Sequence, residues 1–174
     1  MAEPITLEDA RRQLNICDVE DDAFLTDAIV DARGWIEGYT GLILTRRTVT
    51  KVLPSFCDAL KAWPIVSIDN VAYVDTSRAD AVLASDAYFA QIAARPARLV
   101  ATSWPAIYPA SQITVTMTAG FASPADIKEF SPKIMRAMRI LVAGFYHDRE
   151  GGDVFVKAEN AARGLCRDYR RLCV

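Results

Sequence analysis

The first forty residues show the spacing of apolar side chains that an amphipathic helix requires. From Asp21 to Tyr39 these side chains recur at steps of three and four residues, so they lie on one broad stripe of a helix. Gly41 follows, and glycine readily adopts the left-handed conformation in which many helices end. Thr6 and Asp9 form the pattern of a capping box, which predicts a shorter helix over LEDARRQLN. The pattern therefore predicts two helices in this region.

The middle of the chain has the pattern of β-strands instead. After Leu42, short segments rich in β-branched and aromatic residues are separated by Pro, Asp, Asn and Ser. The alternation is most regular from Thr114 to Thr118, and the pattern ends near Phe121. Five segments are predicted to be strands of a small antiparallel sheet: RRTVTKVLPSF, WPIVSIDNVAYVD, AYFAQIA, ARLVATSW and ITVTMTAGF.

Helical periodicity returns after this β-rich block. Ser123 and Ser131 each precede a proline, and a capping side chain followed by proline favours the start of a helix. The second of these steps opens PKIMRAMRILVAGFYHDRE, a long predicted helix that ends at Gly151-Gly152. A last helix is predicted from about Ala158 to Leu172. The order of elements is two helices, a β block and two further helices.

Composition and charge limit the classes of function that are possible, and they leave the predicted order of helices and strands unchanged. A chain of 174 residues with 52% hydrophobic side chains can bury a core, and its length favours one domain over 1–174. The net charge of −2 gives no bulk attraction for nucleic acid. No apolar run approaches the roughly 18–20 residues of a membrane span. The segment MAEPITLED lacks the basic and apolar regions of a signal peptide, so we expect synthesis in the cytoplasm.

The charge is distributed unevenly along the chain. Residues 1–31 contain nine acidic and two basic side chains, a balance of −7, whereas residues 157–174 contain five basic and two acidic ones, a balance of +3. One interpretation is two solvated helix faces. The other is two surfaces that meet different neighbours, or that meet each other between copies. The acidic cluster at 18–22 suits a helix N-terminus better than a calcium loop.

Candidate chemistry is sparse. His147 is the sole histidine, and it lies at a predicted helix end, so most acid–base and nucleophilic schemes would have to use it. The four cysteines form no CxxC pair, which argues against zinc and predicts thiols packed as small apolar groups. GxSxG, Walker, GxGxxG and HExxH motifs are absent. The sequence predicts no enzyme, no metal and no cofactor.

Several segments, taken in order, resemble head–tail connector proteins of tailed phages, which are also called adaptor or head-completion proteins. Related proteins occur in gene transfer agents. The resemblance covers nearly the whole chain. It rests most on WIEGYTG at a helix end, VTMTAGF before a Pro-capped helix, and FYHDRE at the end of the next helix.

The resemblance implies an α+β fold that is mainly helical. It is a small helical bundle with an antiparallel β-rich insertion between the second and third long helices. The single adaptor domain would comprise N-terminal helices over 1–41, the β-rich insertion over 42–121 and C-terminal helices over 122–174. The start of the third long helix is left open by the additional SPADIKEFSP stretch.

The resemblance also implies a structural role in a virion or phage-like particle. Copies would form a ring, typically a dodecamer, beneath the portal protein, whereas an isolated subunit can be a monomer. The ring would extend the channel through which double-stranded DNA passes and present a platform to a tail-side connector or stopper protein. The alternative is a small cytoplasmic ligand-binding or enzyme domain that uses the β-rich block as a pocket.

Two sets of residues follow from this interpretation. The C-terminal segment commonly engages the portal in this family, and its arginines at steps of three and four residues suit a protein partner better than DNA. The candidate portal interface is Arg163, Arg167, Tyr169, Arg170, Arg171 and Leu172. The expected core is Trp35, Ile36 and Tyr39 of the second helix, packed on Leu141, Phe145 and Tyr146 of the third.

Overall fold

The computed structural model describes residues 3–17 and 19–170. Its chain divides into two compact units. The helical unit consists of Met1–Thr45 and Phe121–Val174, and the β unit consists of Arg46–Gly120. Within the described ranges, no helix has both the length and the apolar character needed to cross a membrane.

Within the residues that the structure describes, the helical unit contains five α-helices and a 3-10 turn. The helices are α1 (Leu7–Leu14), α2 (Asp22–Thr40), α3 (Pro124–Phe130), α4 (Pro132–His147) and α5 (Asp153–Cys166), and the turn is Arg167–Tyr169. The buried stripe of α2 consists of Leu25, Ala28, Ile29, Ala32, Ile36 and Thr40. The buried side of α4 consists of Ile134, Met135, Ala137, Met138, Leu141, Val142 and Gly144. The two longest amphipathic helices therefore contribute most of the buried core of this unit.

The capping residues predicted from the sequence start three of these helices. The Thr6 hydroxyl accepts a hydrogen bond from the Asp9 backbone N–H at 3.0 Å, and the Asp9 carboxylate accepts one from the Thr6 N–H at 3.3 Å. Ser123 forms the same reciprocal arrangement at the start of α3. Ser131 both ends α3 and caps α4. The SPADIKEF stretch is thus a short helix of its own.

The last helix differs from its predicted position at both ends. It begins at Asp153 rather than near Ala158, because the Asp148 carboxylate accepts hydrogen bonds from the backbone N–H groups of Val154 and Phe155. Those donors are otherwise left without partners in a first helical turn. The α-helix ends at Cys166, where the backbone tightens into the 3-10 turn.

The β unit contains six strands in two antiparallel sheets. The strands are β1 (Arg47–Leu53), β2 (Ile65–Val74), β3 (Asp80–Val82), β4 (Phe89–Gln91), β5 (Arg98–Val100) and β6 (Ile113–Ala119). The larger sheet has the order β1-β6-β2-β3, and β4 pairs with β5 alone. All five predicted strands are present, but they belong to two sheets. Strand β3 is not predicted from the sequence, because three residues are too few to show a repeating pattern.

The central strand β6 has one buried face and one partly exposed face. Its residues Ile113, Val115, Met117 and Ala119 are buried, and the threonines between them are partly exposed. This is the alternation expected for a sheet with one face on a core. The α+β class, mainly helical, with an antiparallel β-rich insertion, is confirmed.

Candidate interaction surface

The C-terminal turn and the residue after it contact other parts of the helical unit. The Lys133 Nζ atom donates to the Asp168 carboxylate at 2.8 Å. The Tyr169 ring lies against Phe130, with the ring centres 5.4 Å apart. The Arg170 guanidinium lies over the ring of Tyr39, 5.4 Å from its centre. These contacts fix the direction in which the chain leaves α5.

A second layer of contacts joins α2 to α5 beside this turn. The indole of Trp35 stacks on Tyr39, with ring centres 5.2 Å apart and planes 16° from parallel. Its Nε1 atom donates to the Glu159 carboxylate at 3.0 Å, and Arg163 donates to the same carboxylate at 2.9 Å. We call Trp35, Tyr39, Glu159, Arg163 and Arg170 the aromatic–arginine cluster.

The contacts of this cluster favour the charged form of Glu159. The hydrogen bond from Arg163, followed by that from Trp35, lowers the pKa of Glu159. The Arg163 side chain is 52% exposed, and Glu159 is 23% exposed. Arg170 is exposed, and the two rings of the stack are partly exposed. With two guanidinium groups and one carboxylate, the cluster carries a net positive charge at its surface.

The residues of the predicted portal interface are not on one helical face. Arg163 lies on α5, Arg167 and Tyr169 belong to the 3-10 turn, and Arg170 follows that turn. Because the α-helix ends at Cys166, the spacing of three and four residues does not align them as the sequence suggested. Arg171 and Leu172 lie outside the described residues.

The expected core residues fall into two groups. Ile36 and Leu141 are fully buried. Trp35, Tyr39, Phe145 and Tyr146 are partly exposed. Along α2, Ile36 belongs to the buried stripe, whereas Trp35 lies just outside it, since successive residues differ by about 100°. The difference from the expectation is that Trp35 bonds to α5 through Glu159, which helical periodicity alone could not indicate.

Asp21 and Asp22 of the acidic cluster lie at the N-terminus of α2, as expected, and their carboxylates bind side chains, whereas Asp18 lies outside the described residues. Asp21 occupies the capping position without a side-chain capping bond. Its carboxylate instead accepts from the Tyr146 hydroxyl at 2.6 Å and from Arg149 at 3.0 Å. The first of these bonds is the main reason why the pKa of Asp21 is lowered. Asp22 forms an ion pair with Arg11. Part of the N-terminal negative charge therefore serves packing within the unit.

Other candidate chemistry gains no support from the geometry. His147 is an exposed residue at the end of α4. Among the residues described, no three His, Cys, Asp or Glu side chains are placed to hold a metal ion. Cys17 and Cys57 are exposed, contrary to the expectation of packed thiols, whereas Cys166 is buried and burial raises its pKa to about 11.

An open depression of about 400 Å³ in the β unit is lined by Asp86, Ala87, Tyr88, Phe89, Val100, Ala101 and Thr102.

The chain matches a family model in sequence and resembles proteins of solved particles in fold. Residues 4–93 match the family model of the phage gp6-like head–tail connector protein. No curated protein matches the sequence of this chain. In fold, the chain resembles a protein in the neck of an empty gene transfer agent particle solved with C6 symmetry, with 21% identity and a TM-score of 0.78. That match covers 100% of this chain and 94% of the other.

Two further structures show the same fold likeness. A protein in the virion of a native gene transfer agent has 21% identity and a TM-score of 0.76, over 98% of this chain and 91% of the other. A protein in the neck of a native gene transfer agent particle, solved with C12 symmetry, has 20% identity and a TM-score of 0.69. This match covers 100% of this chain and 94% of the other. The likeness therefore extends through both units of the chain.

Proposed function

Because this chain belongs to the phage gp6-like head–tail connector family, we propose that it is a structural connector in the neck of a tailed phage or gene transfer agent. The observation that carries the proposal is the family match over residues 4–93, which runs from the N-terminal helices into the β unit. The likeness in fold to gene transfer agent neck proteins, over the full length of this chain, supports it. The role is one of assembly and not of catalysis.

In this proposal, copies of the chain form a closed ring beneath the portal protein. A ring requires a heterologous contact in which two different patches of neighbouring copies meet. The similar neck structures were solved with C6 and C12 symmetry, which supports a ring of twelve copies in the particle. The ring extends the channel for double-stranded DNA and offers its far side to a tail-side connector or stopper protein.

The portal side of the ring is assigned to the C-terminal end of the helical unit. Arg163, Arg167 and Arg170 are exposed there, and the contacts around Asp168 and Tyr169 hold this end in a defined position. A positively charged surface of fixed geometry suits a protein partner with carboxylates. The acidic N-terminal helices are not assigned to the portal.

Removal of the gene from a particle-producing strain tests the role. We expect DNA-filled heads that carry the portal but lack tails, and we expect a plasmid copy to restore tailed particles. A strain that makes normal tailed particles without this chain would contradict the proposal. So would a purified particle from which the chain is absent by mass spectrometry.

A further inference from the structure

The side of α2 that points away from the core lacks the long polar side chains that a solvent-facing helix usually carries. Successive residues differ by about 100° around the axis, so six exposed residues lie opposite the buried stripe. We call them the outer face of α2: Ala23, Asp27, Val30, Asp31, Gly34 and Gly38. Val30 is 40% exposed. The carboxylates of Asp27 and Asp31 have no partner among the described residues.

The two glycines of this face are not explained by packing within the chain. A Cβ atom added to Gly34 or to Gly38 would meet no atom within 4 Å. Glycine inside a helix is less favourable than alanine, so both positions lower the stability of α2 with no compensating contact in their own unit. Together with Val30, they leave a flat strip along which the surface of another chain can approach the helix backbone closely.

The β4–β5 pair exposes an apolar face in the β unit. Phe89 lies opposite Val100, and Gln91 lies opposite Arg98. Alternate residues of a strand point to the same side, so these four residues share one face, which we call the ribbon face. Phe89 is 68% exposed and Val100 is 43% exposed. The open depression of about 400 Å³ borders both of them and offers room for a side chain of a partner.

The charges around these two faces are complementary. Residues 1–45, which include α2, contain ten acidic and three basic side chains, whereas the β unit contains five acidic and seven basic ones. Arg98 of the ribbon face is exposed and has no partner among the described residues. In contrast, Arg163 and Arg170 of the helical unit already contact Glu159 and Tyr39. The ribbon face is therefore the better match for the free carboxylates of α2.

We infer that the outer face of α2 in one copy of this chain binds the ribbon face of the next copy. This inference rests on the proposed function, because a closed ring requires two different patches on every copy. Each of the two faces has an apolar centre and a charged margin, as protein interfaces commonly do. Val30 and the glycines would pack against Phe89 and Val100, and the α2 carboxylates would meet Arg98.

Chemical cross-linking in assembled particles tests this contact. Val30→Cys and Val100→Cys are combined in a chain whose Cys17, Cys57 and Cys173 are replaced by serine, and a plasmid supplies this chain to the strain that lacks the gene. Purified particles are treated with a short bismaleimide, which tolerates a looser fit than a disulfide does, and are separated on a denaturing gel. We expect covalent multimers from the double variant. The two single-cysteine variants are the controls and should give only monomers.

Exchange of the charges tests the same contact without a cross-linker. Asp31→Arg and Arg98→Glu should each reduce the yield of tailed particles by about tenfold or more. The chain with both changes should recover to within about threefold of the wild type, because every contact in the ring again joins opposite charges. Glu150→Arg is the matched control, since Glu150 is also exposed and without a described partner, and its yield should stay within about twofold.

Gly34→Leu separates a defect of assembly from a defect of folding. Leucine favours a helix more than glycine does, and nothing in the chain obstructs it, so the midpoint of thermal unfolding should rise. The added side chain fills the flat strip on the outer face of α2. We therefore expect fewer tailed particles from a chain that is more stable, a combination that a folding defect cannot produce.

Two results would overturn the inference while leaving the proposed function intact. One is that tailed particles contain the double-cysteine chain and yield only its monomer. The other is that a single-cysteine variant is linked to a different particle protein, which would make that protein the occupant of the face. If particles lack even the wild-type chain, the proposed function fails together with the inferred contact.

Discussion

A Cβ atom added to Gly144 would lie 2.6 Å from the Cβ atom of Ala158, closer than real Cβ contacts allow. The two helices α4 and α5 therefore approach through a glycine on one and an alanine on the other. The ring of Phe145, the next residue, lies 4.8 Å from that of Phe155, so the same approach also brings two aromatic side chains together.

Gly144→Ala should therefore destabilise the chain, although alanine normally favours a helix. We expect a loss of about 1–3 kcal/mol in the free energy of unfolding, the usual cost of overpacking. Gly164→Ala is the control, because nothing lies within 4 Å of the added Cβ in α5, and it should stabilise by roughly 0.5–1 kcal/mol. Urea denaturation measures both. Equal stability of the two variants would show that α4 and α5 are not in close contact.

Trp35 offers a test of the link between α2 and α5. Trp35→Phe keeps an aromatic ring for Tyr39 but removes the indole donor to Glu159, and we expect a loss of about 1 kcal/mol, the usual net value of one hydrogen bond. Trp35→Ala also removes the stack and should cost more. Thermal unfolding of both variants measures the two losses of stability. If Trp35→Phe and Trp35→Ala were equally destabilising, the ring itself would contribute nothing.

Asp148 should make part of the stability depend on acid pH. Backbone N–H groups of Gly152, Phe155 and Val154 lower the pKa of Asp148 from its usual 3.8. A carboxyl group whose pKa is lowered by folding contributes stability that is complete above the unfolded pKa and is lost as the pH falls through the folded value. Asp148→Asn should therefore flatten the decline in unfolding midpoint below about pH 5. An unchanged acid limb in this variant would contradict the capping role.

His147 is expected to be dispensable for assembly. It is exposed at the end of α4, and no catalytic role is proposed for it. His147→Gln should leave the yield of tailed particles close to that of the wild type, counted by electron microscopy. A folded variant that blocks tail attachment would instead place this residue in a contact.

The parts of the fold that the sequence predicted are those governed by neighbouring residues. The stripe of α2, the alternation of β6 and the caps at Thr6, Ser123 and Ser131 depend on spacings of two to four residues. Each of these features follows from the periodicity of a helix or a strand, or from a local hydrogen bond. These features can be predicted from the sequence without knowledge of tertiary contacts.

The features that escaped prediction depend on contacts between distant residues. Nothing near Gly144 in the sequence indicates that Ala158 lies against it, and Trp35 is 124 residues from Glu159. The same limit applied to the candidate surface. The arginines were visible as a charge pattern, but the Tyr39 ring beneath Arg170 was not, so two members of the cluster were predicted to belong to the core.

Electron cryomicroscopy of purified particles tests the proposed position of this chain in the neck most directly. We expect a ring of copies of this chain between the portal and the tail, with the C-terminal end of the helical unit of each copy facing the portal. A neck whose density at side-chain resolution is fully explained by other proteins would contradict this position.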